Sequence, residues 1–581
     1  MVEIPTVQPL RVYRLAGTQQ EMGRQFGELA AADGGWHAAL DLYANRPTMA
    51  ATMVAASMPH GIRPIVERVA DALLAPQRRR LQSIRSKQFP EYTERTRETF
   101  RAMGFDDRAI DATFVMEVLQ NLIGLASRTG MFTRALEAAA IASCSSVAVW
   151  GSATVDGNLR HARNFDFPGG SIWDRAPLVV FCSPDQGQRY GYVSARGLDA
   201  PGITCFNEAG LTFTVHTRFH REIGYSGPSV IDLGHELIRT CATLDEVAAA
   251  ARRFGATSTW GLICSSAAER SAILVETTAK RVEVIEAGAD ADHLTCTNSY
   301  LHPAFQNGET PPGPDFRIDS LDRRCQLEAF VDKHRGAIDT ELLQWLLGDY
   351  GGVDIVDLTP DVQRVDGTSV VAIDTVASIV SVPDERRIDV SVGPCPTGFG
   401  PYASVAWNWD GPVGVADDEV EIGPQRGRSH RGEPLTDTER AVSHRIAEIA
   451  HRHLEKAPPR VSLVALSNLI DELPNEPSLR RIVGQLSILV GEPAAALEHL
   501  DHALTLEGTP GLREKLLLAR SRAHSLLGDE AAAQSDRDEL LRSDPAHAPL
   551  EYATARRESI KPPTRRALRA MAIDLLHLDA R

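Results

Sequence analysis

A chain of 581 residues is too long for one hydrophobic core, and at roughly 150 residues per domain it predicts about two to four domains. Hydrophobic residues make up 43% and charged residues 24%, which is typical of folded globular proteins and excludes a disordered or fibrous chain. The formal net charge of −16 disfavours a nucleic-acid partner, which requires a local excess of positive charge.

Residues 1–143 are predicted to be mostly helical. Apolar residues recur at helical spacing from Pro64 to Ile84, with Pro76 as an interruption, and Phe132–Ile141 also has a helical pattern. The first residues lack the long apolar core of a signal peptide, and no stretch approaches the ~20 uninterrupted apolar residues of a membrane span. We therefore expect no membrane span and a cytoplasmic protein.

Residues 144–409 change to a period of two, which is typical of strands. Short runs such as CSSVAVW, NLRHARNF, LTFTVHT, SAILVET and SVVAI (residues 369–373) recur, and the blocks Val230–Arg253 and Arg317–Leu347 each carry two helical segments. Many strands with two helical blocks predict an α+β fold in which the sheets form a sandwich with helices outside.

The C-terminal part is predicted to be a linker followed by helices. Residues 410–436 are rich in Gly, Pro and charge and indicate a linker or surface loop, and residues 437–581 are helical. Within them LVGEPAAALEHLDHALTLEG is echoed by LLGDEAAAQSDRDELLRSDP, with Gly491 and Gly528 at an offset of 37 (528 − 491). The region Leu479–Pro545 resembles the tetratricopeptide family, which implies either a docking groove for a protein partner or a helical cap on the enzyme.

The eight cysteines form no C-x-x-C pair, so we expect free thiols in a reducing compartment and no zinc site, and we expect the seven cysteines other than Cys144 to be core residues. The chain has no G-x-x-x-x-G-K-[ST] phosphate loop and no H-E-x-x-H zinc motif. The sequence therefore predicts no metal and no organic cofactor.

The chemistry is predicted to lie around Cys144. The Asp156-Gly157 turn folds the following strand back beside Cys144 and brings Arg163 and Asp166 close to it. Because alternation along a strand puts Arg163 and Asp166 on opposite faces, we expect the strand to end or bulge near Asn164 if both serve one site.

A thiol attacks as the thiolate, so it needs a cation and a proton acceptor nearby. No single histidine stands out as the base. The N-terminal amine of a cleaved chain can serve instead, because its ordinary pKa of about 7.7–8.0 lies near the working pH.

A family resemblance rests on motifs that occur in order along residues 10–400. They are LAGTQQEMGRQFG, C-S-S followed by D-G-N-L and R-x-x-D at Arg163 and Asp166, FNEAGL, CTNSY, and Ser320-x-x-Arg323. Together they resemble the N-terminal-nucleophile hydrolases of the choloylglycine hydrolase and penicillin acyltransferase (peptidase C45) group.

That resemblance implies a four-layer αββα sandwich and autoproteolysis between Ser143 and Cys144. Cleavage would give chains of 143 and 438 residues (581 − 143). Family precursors often have glycine before the cysteine, where this chain has Ser143.

The resemblance also implies roles for individual side chains. Cys144 is the nucleophile, Arg163 polarises its thiolate, Asp166 holds its amine, and Asn298 orients that amine or stabilises the oxyanion. Where the choloylglycine branch has a second asparagine, this chain has His216 or Thr217 as the oxyanion candidate. Arg323 is a secondary candidate.

The implied reaction is acyl transfer from a small-molecule acyl amide or other acyl donor through a thioester, resolved by water or by an amine. Structural alternatives remain: Arg163 and Asp166 as an ion pair, Asn298 as a turn cap, His216 as an ordinary strand histidine, and Arg323 as a solvated helix residue. For the whole chain, the alternatives are an uncleaved scaffold that binds through its C-terminal helices and an unprocessed thiol enzyme with another base.

Overall fold

The protein was analysed as a computed structural model, which describes residues 8–34, 63–105, 110, 113–114, 117–118, 120–121, 143–167, 173–310, 314–348, 370–417, 420–427, 434–454, 458–506, 511–545, 547–569 and 573. The helix predicted at Phe132–Ile141 lies outside these residues, as does most of the segment just before Ser143.

Sixteen strands in the described part of the chain form two sheets. The strands are β1 (Arg11–Gly17), β2 (Cys144–Val149), β3 (Arg160–Asp166), β4 (Pro177–Pro184), β5 (Tyr190–Ala195), β6 (Thr204–Asn207), β7 (Leu211–Thr217), β8 (Trp260–Ser266), β9 (Ser271–Thr277), β10 (Val282–Glu286), β11 (His293–Cys296), β12 (Thr375–Val382), β13 (Arg387–Ser391), β14 (Pro401–Ala406), β15 (Gly414–Val415) and β16 (Val420–Gln425). The order is β10-β9-β8-β7-β6-β5-β4-β1-β15 in the first sheet and β11-β2-β3-β12-β13-β14-β16 in the second.

The two sheets face each other through small polar side chains as well as apolar ones. The Ser146 hydroxyl of β2 lies 3.1 Å from that of Thr214 in β7, and the Thr212 hydroxyl lies 2.8 Å from that of Ser381. These contacts place β2, β3 and β12 against β7, so the residues that β2 and β3 turn inward meet the inner face of the first sheet.

Helices cover both outer faces. The described helices are α1 (Gln19–Asp33), α2 (Arg63–Gln88), α3 (Pro90–Ala102), α4 (Val230–Thr240), α5 (Leu244–Phe254), α6 (Pro303–Gln306), α7 (Pro314–His334), α8 (Thr340–Leu347), α9 (Asp437–Leu454), α10 (Pro459–Ile470), α11 (Pro477–Val490), α12 (Pro493–Thr505), α13 (Leu512–Leu527), α14 (Glu530–Leu540), α15 (Pro549–Ile560) and α16 (Arg565–Arg569). Helices α4 and α5 pack on the first sheet and α7 and α8 on the second, which gives the order helix, sheet, sheet, helix.

The α+β prediction is confirmed, and so are both helix pairs. The blocks Val230–Arg253 and Arg317–Leu347 hold α4 with α5 and α7 with α8. Sequence periodicity missed β5 and β14. It also predicted a strand near Val370–Ile373, where the structure has turns and bends. Strands β5 and β14 both lie inside their sheets with a paired strand on each side, and β5 is buried on both faces, so polar and apolar residues need not alternate along it.

Two predictions about the ends of the sheet region were wrong in part. The mostly helical N-terminal segment also supplies β1, which runs parallel to β4 between it and β15. The segment 410–436, predicted as linker or surface loop, contributes β15 and β16 to the sheets. Strand pairing with distant residues overrides the local Gly and Pro signal there.

Candidate active site

The hairpin of β2 and β3 sets the geometry around Cys144. Asp156 and Gly157 turn the chain as predicted, although the connection spans residues 150–159 rather than two residues, with Gly157 at φ +76°. In the resulting register Cys144 lies opposite Phe165 and Ser146 opposite Arg163. Paired residues share a face of the sheet, so Cys144 and Arg163 both point between the two sheets.

Arg163 is held beside the thiol by backbone acceptors of the facing sheet. Its Nη2 donates to Cys144 Sγ at 3.4 Å and to the Val215 carbonyl at 2.9 Å. Its Nη1 donates to the Ile203 carbonyl at 2.8 Å and to the Thr204 hydroxyl. The guanidinium is thereby fixed next to the sulfur, where its charge favours the thiolate.

Burial works against that charge. Cys144 is 1% exposed, and burial raises the pKa of its thiol, while Arg163 lowers it and the Asp166 carboxylate adds to the rise. The thiol therefore stays protonated in the uncleaved chain at neutral pH and needs a base to become a nucleophile.

Asp166 approaches from the other face. The strand continues regularly to Asp166, so the expected ending or bulge near Asn164 does not occur; the register shift lies in β12, between Thr375 and Ala377. Asp166 is next to the residue paired with Cys144, and therefore meets Ser143 rather than the sulfur.

The contacts of Asp166 centre on the Ser143–Cys144 peptide. Its backbone N–H donates to the Ser143 carbonyl at 3.0 Å, and its carboxylate accepts from the Ser143 hydroxyl at 3.3 Å and from Thr375 Oγ1 at 2.6 Å. Burial raises the pKa of this carboxyl, against the nearby charge of Arg323. Arg163 and Asp166 lie on opposite faces of β3, and no ion pair joins them among the described residues, so that alternative is wrong.

Asn298, just after β11, holds the nitrogen of Cys144. Its Oδ1 accepts from Cys144 N at 2.9 Å, and its Nδ2 donates to Thr217 Oγ1 at 2.9 Å. Its own N–H donates to Ser320 Oγ at 2.9 Å. A residue that only capped a turn would not reach the nucleophile, so the structure contradicts that alternative.

Arg323 of α7 closes the same network. The side chain is 1% exposed, which rules out the solvated alternative. Its Nη1 donates to the Cys144 carbonyl and to Ser145 Oγ, both at 2.8 Å, and its Nη2 donates to Asn298 Oδ1 at 2.9 Å. Asp319, one turn earlier, pairs with the guanidinium at 2.8 Å and keeps its charge compensated in the interior.

The two oxyanion candidates differ in position. His216 is fully buried, and its Nε2 lies 2.9 Å from Ser146 Oγ; burial, with Arg163 and Arg218, holds its pKa well below the ordinary value, so the ring is neutral. Thr217 accepts from Asn298 and lines the cavity in front of Cys144, whose lining does not include His216. The position of Thr217 therefore suits an incoming carbonyl better.

The thiol opens into a mostly apolar cavity of about 170 Å³. Phe165, Phe167 and Trp173 contribute a cluster of rings to its lining, with ring centroids 5.0 to 6.2 Å apart. The lining also includes Arg85 of α2, Thr99 and Phe100 of α3, and Glu117, so residues that precede Cys144 in the chain wall its cavity. Such a cavity suits the apolar part of an acyl group.

Several residues that support the site were not predicted from the sequence. Arg218 is fully buried next to Thr217 and donates to the Thr297 carbonyl and, at 3.2 Å, to Cys296 Sγ, which fixes the segment that carries Asn298. Thr375 lies 209 positions from Asp166. The basic residue directly after TVHT, Arg218, was a signal in the sequence that could have been used to find it. No sequence pattern pointed to Thr375.

The remaining cysteines are also free thiols. Seven of the eight cysteines are buried, whereas Cys325 is exposed and is not the core residue it was expected to be. In the described part of the chain no group of three His, Cys, Asp or Glu side chains is arranged to hold a metal ion. No helix among the described residues is long and apolar enough to cross a membrane.

One family model matches the chain, described as acyl-coenzyme A:6-aminopenicillanic acid acyl-transferase, over residues 156–346. No curated protein matches the chain. The matched region begins after the β2 strand and includes Arg163, Asp166, Asn298 and Arg323. This match supports the N-terminal-nucleophile family and an enzyme of acyltransferase or hydrolase type that acts on a small-molecule acyl substrate.

Proposed function

We propose that this protein is a cysteine N-terminal-nucleophile enzyme that cleaves its own Ser143–Cys144 bond and then transfers acyl groups from amides or related donors. The observation that carries the proposal is the position of Cys144, with its thiol against Arg163, its nitrogen against Asn298, and an apolar cavity in front of the sulfur. The resemblance of residues 10–400 to the choloylglycine hydrolase and C45 group points to the same chemistry.

Cleavage begins with attack of Cys144 Sγ on the Ser143 carbonyl carbon. The Asp166 N–H, 3.0 Å from that carbonyl oxygen, is placed to stabilise the charge that develops on it. The C–N bond then breaks, the proton lost by the thiol is taken up by the Cys144 nitrogen, the Ser143 acyl group is held on sulfur as a thioester, and that nitrogen becomes a free amine. Water hydrolyses the thioester and releases the Ser143 carboxylate.

Cleavage also changes the partners of Asp166. Ser143 leaves with the N-terminal chain, so the carboxylate loses the hydroxyl that it accepts from at 3.3 Å. The new amine lies on the same edge of the hairpin, with Asn298 Oδ1 as its acceptor. Asp166 is then the carboxylate that holds the amine, and Asn298 orients it.

In turnover the Cys144 amine takes the thiol proton and Arg163 stabilises the thiolate. Sulfur attacks the substrate carbonyl, and Thr217, which lines the cavity in front of the sulfur, is the side-chain donor that we assign to the developing oxyanion, with His216 as the second candidate. The amine returns the proton to the leaving nitrogen, which departs and leaves a thioester. Water resolves it in a hydrolase and an acceptor amine does so in an acyltransferase.

The test is mass spectrometry of the purified protein. We expect chains of 143 and 438 residues, the second beginning at Cys144, and an intact 581-residue chain for Cys144→Ala. A panel of N-acyl amides and acyl-CoA thioesters, with product analysis, then separates hydrolysis from transfer. An intact wild-type chain without turnover favours the scaffold alternative, and an intact chain that still turns over acyl substrates favours a thiol enzyme with another base.

For the C-terminal helices we propose two tetratricopeptide-like units, α11 with α12 and α13 with α14. Gly491 and Gly528 end the first helix of each pair with φ of +95° and +89°, at equivalent positions. A Cβ at Gly484 would lie 2.7 Å from Leu500 Cγ, so the first pair approaches closely. Because His444 of α9 contacts the Cys395 carbonyl at 2.9 Å, a cap on the sheet region is better supported than a free docking groove.

The cytoplasmic location also stays a proposal. Its support is the set of free thiols, which suits a reducing compartment.

A further inference from the structure

The cavity at Cys144 has one polar feature that acyl transfer itself does not use, the side chain of Arg85. This residue of α2 is 7% exposed and lines the same cavity as the thiol. Its Nε lies 2.9 Å from Asp232 Oδ1, and its guanidinium carbon lies 5.8 Å from the centre of the Phe114 ring. Its Nη1 is buried and, within the part of the chain that the structure describes, has no hydrogen-bond partner.

A buried guanidinium N–H without an acceptor is unfavourable unless a ligand satisfies it. Among the described residues, two carboxylates that line the cavity with Arg85, those of Asp232 and Glu117, already accept from other donors. Asp232 accepts from Ser229 Oγ at 2.9 Å in addition to pairing with Arg85, and Glu117 accepts from the Val230 N–H, the Ser258 hydroxyl and Trp260 Nε1. The free donor therefore suits an oxygen atom of whatever occupies the cavity.

The charges of the cavity wall indicate whether this ligand oxygen belongs to a charged or a neutral group. Arg85 is balanced by Asp232, and Arg95, next to the cavity, is balanced by Asp199, which lies in its wall, with 2.7 Å between Nε and Oδ2. Glu117 adds a further carboxyl. The wall thus has no net positive charge with which to bind a carboxylate, and a neutral acceptor such as a ketone, amide or ether oxygen fits better.

The size of the cavity limits the rest of the group. An engineered apolar cavity of about 150 Å³ accommodates benzene, so the 170 Å³ here has room for about six to eight non-hydrogen atoms. Most of the cavity wall is apolar, and it includes Phe165, Ile203 and Val215.

We propose that this cavity is the acyl subsite, and that it selects a short acyl chain that carries a neutral oxygen acceptor, bound by Arg85 Nη1. The assignment of the occupant as the acyl group rests on the proposed function. Specificity would then be set in part by α2, a segment that cleavage separates from the chain carrying the nucleophile.

The test measures binding rather than turnover, in the full-length Cys144→Ala protein, with hexanamide and 5-oxohexanamide as probes of similar length. We expect the ketone to bind about tenfold to a hundredfold more tightly by calorimetry. Arg85→Lys, which keeps a cation for Asp232 but removes the forked donors, should abolish most of that preference. Arg78→Lys on the same helix, at a residue outside the cavity lining, is the matched control and should retain it.

Equal binding of the two amides overturns the proposal, and this comparison needs no change at Arg85. So does an unchanged ketone preference in Arg85→Lys, or tighter binding of the carboxylate analogue adipamate. The proposed function is judged separately, since a wild-type protein that shows the ketone preference but neither cleaves itself nor turns over acyl amides would retain the subsite and lose the enzyme.

Discussion

Replacing Gly261 by alanine tests whether Arg218 positions Asn298. Gly261 lies in β8 opposite His216, and a Cβ there would stand 2.5 Å from Arg218 Nη2 and 2.6 Å from Cζ. Ordinary contact begins at 3.4 Å, so the guanidinium has to move by about 1 Å (3.4 − 2.5 = 0.9). The clashing atoms are the end of the Arg218 side chain, and because this side chain is fully buried it cannot move out into solvent.

That movement weakens several contacts at once. Arg218 donates to the Thr297 carbonyl, lies 3.6 Å from Glu276 and stands over the Tyr300 ring. Overpacking of this kind costs about 1–3 kcal/mol, and a hydrogen bond from a charged donor is worth about 1.5–3 kcal/mol. We therefore expect Gly261→Ala to lose about 2–3 kcal/mol of stability, which lowers the thermal midpoint by roughly 5 °C.

The effect on chemistry follows because Thr297 precedes Asn298. A displacement near 1 Å at a positioning group lowers rates by about a hundredfold, and we expect that loss in self-cleavage and in acyl turnover. Both are measured by mass spectrometry over time, beside thermal melting. Gly288→Ala is the control, since nothing lies within 4 Å of its added Cβ. Wild-type cleavage and melting in Gly261→Ala would refute the positioning role of Arg218.

Four further outcomes are expected. Arg323→Ala leaves Asp319 buried and without its guanidinium partner, so thermal melting should show a loss of about 3–5 kcal/mol in the free energy of unfolding. Arg323→Lys should lose less stability, because it keeps a cation beside Asp319. Burial raises the pKa of Glu117 to about 7 from 4.5. The protonated Glu117 side chain therefore makes its full contribution to the stability of the fold below pH 4.5, and this contribution is lost as pH rises through 7. The stability of wild type relative to Glu117→Gln should fall by about 3 kcal/mol across that range, and a constant difference would contradict this. Gly491→Ala places a side chain at φ +95° and should cost about 1–2 kcal/mol, seen as a lower melting midpoint. After cleavage both chains should elute together on gel filtration and separate only in denaturant, because β1 is inserted between β4 and β15; separate native peaks would contradict that pairing.

Local patterns were sufficient for the elements near the nucleophile. Alternation in CSSVAVW and NLRHARNF predicts β2 and β3, and the Asp156-Gly157 signal predicts that they fold back on each other. Alternation also puts Arg163 and Asp166 on opposite faces, which the structure shows. The added requirement of a bulge was wrong because it assumed that both side chains must reach the sulfur.

The sequence by itself determined most strands and both helix pairs of the sheet region, the α+β class and the residue types gathered around Cys144, since period, turn chemistry and motif order are local properties of the chain. Only the tertiary structure decided that Arg323 is buried against the Cys144 carbonyl, 179 positions away, and that α2 and α3 wall the cavity. Contacts at that separation depend on how strands register and how layers pack, and neither leaves a periodic trace in the sequence.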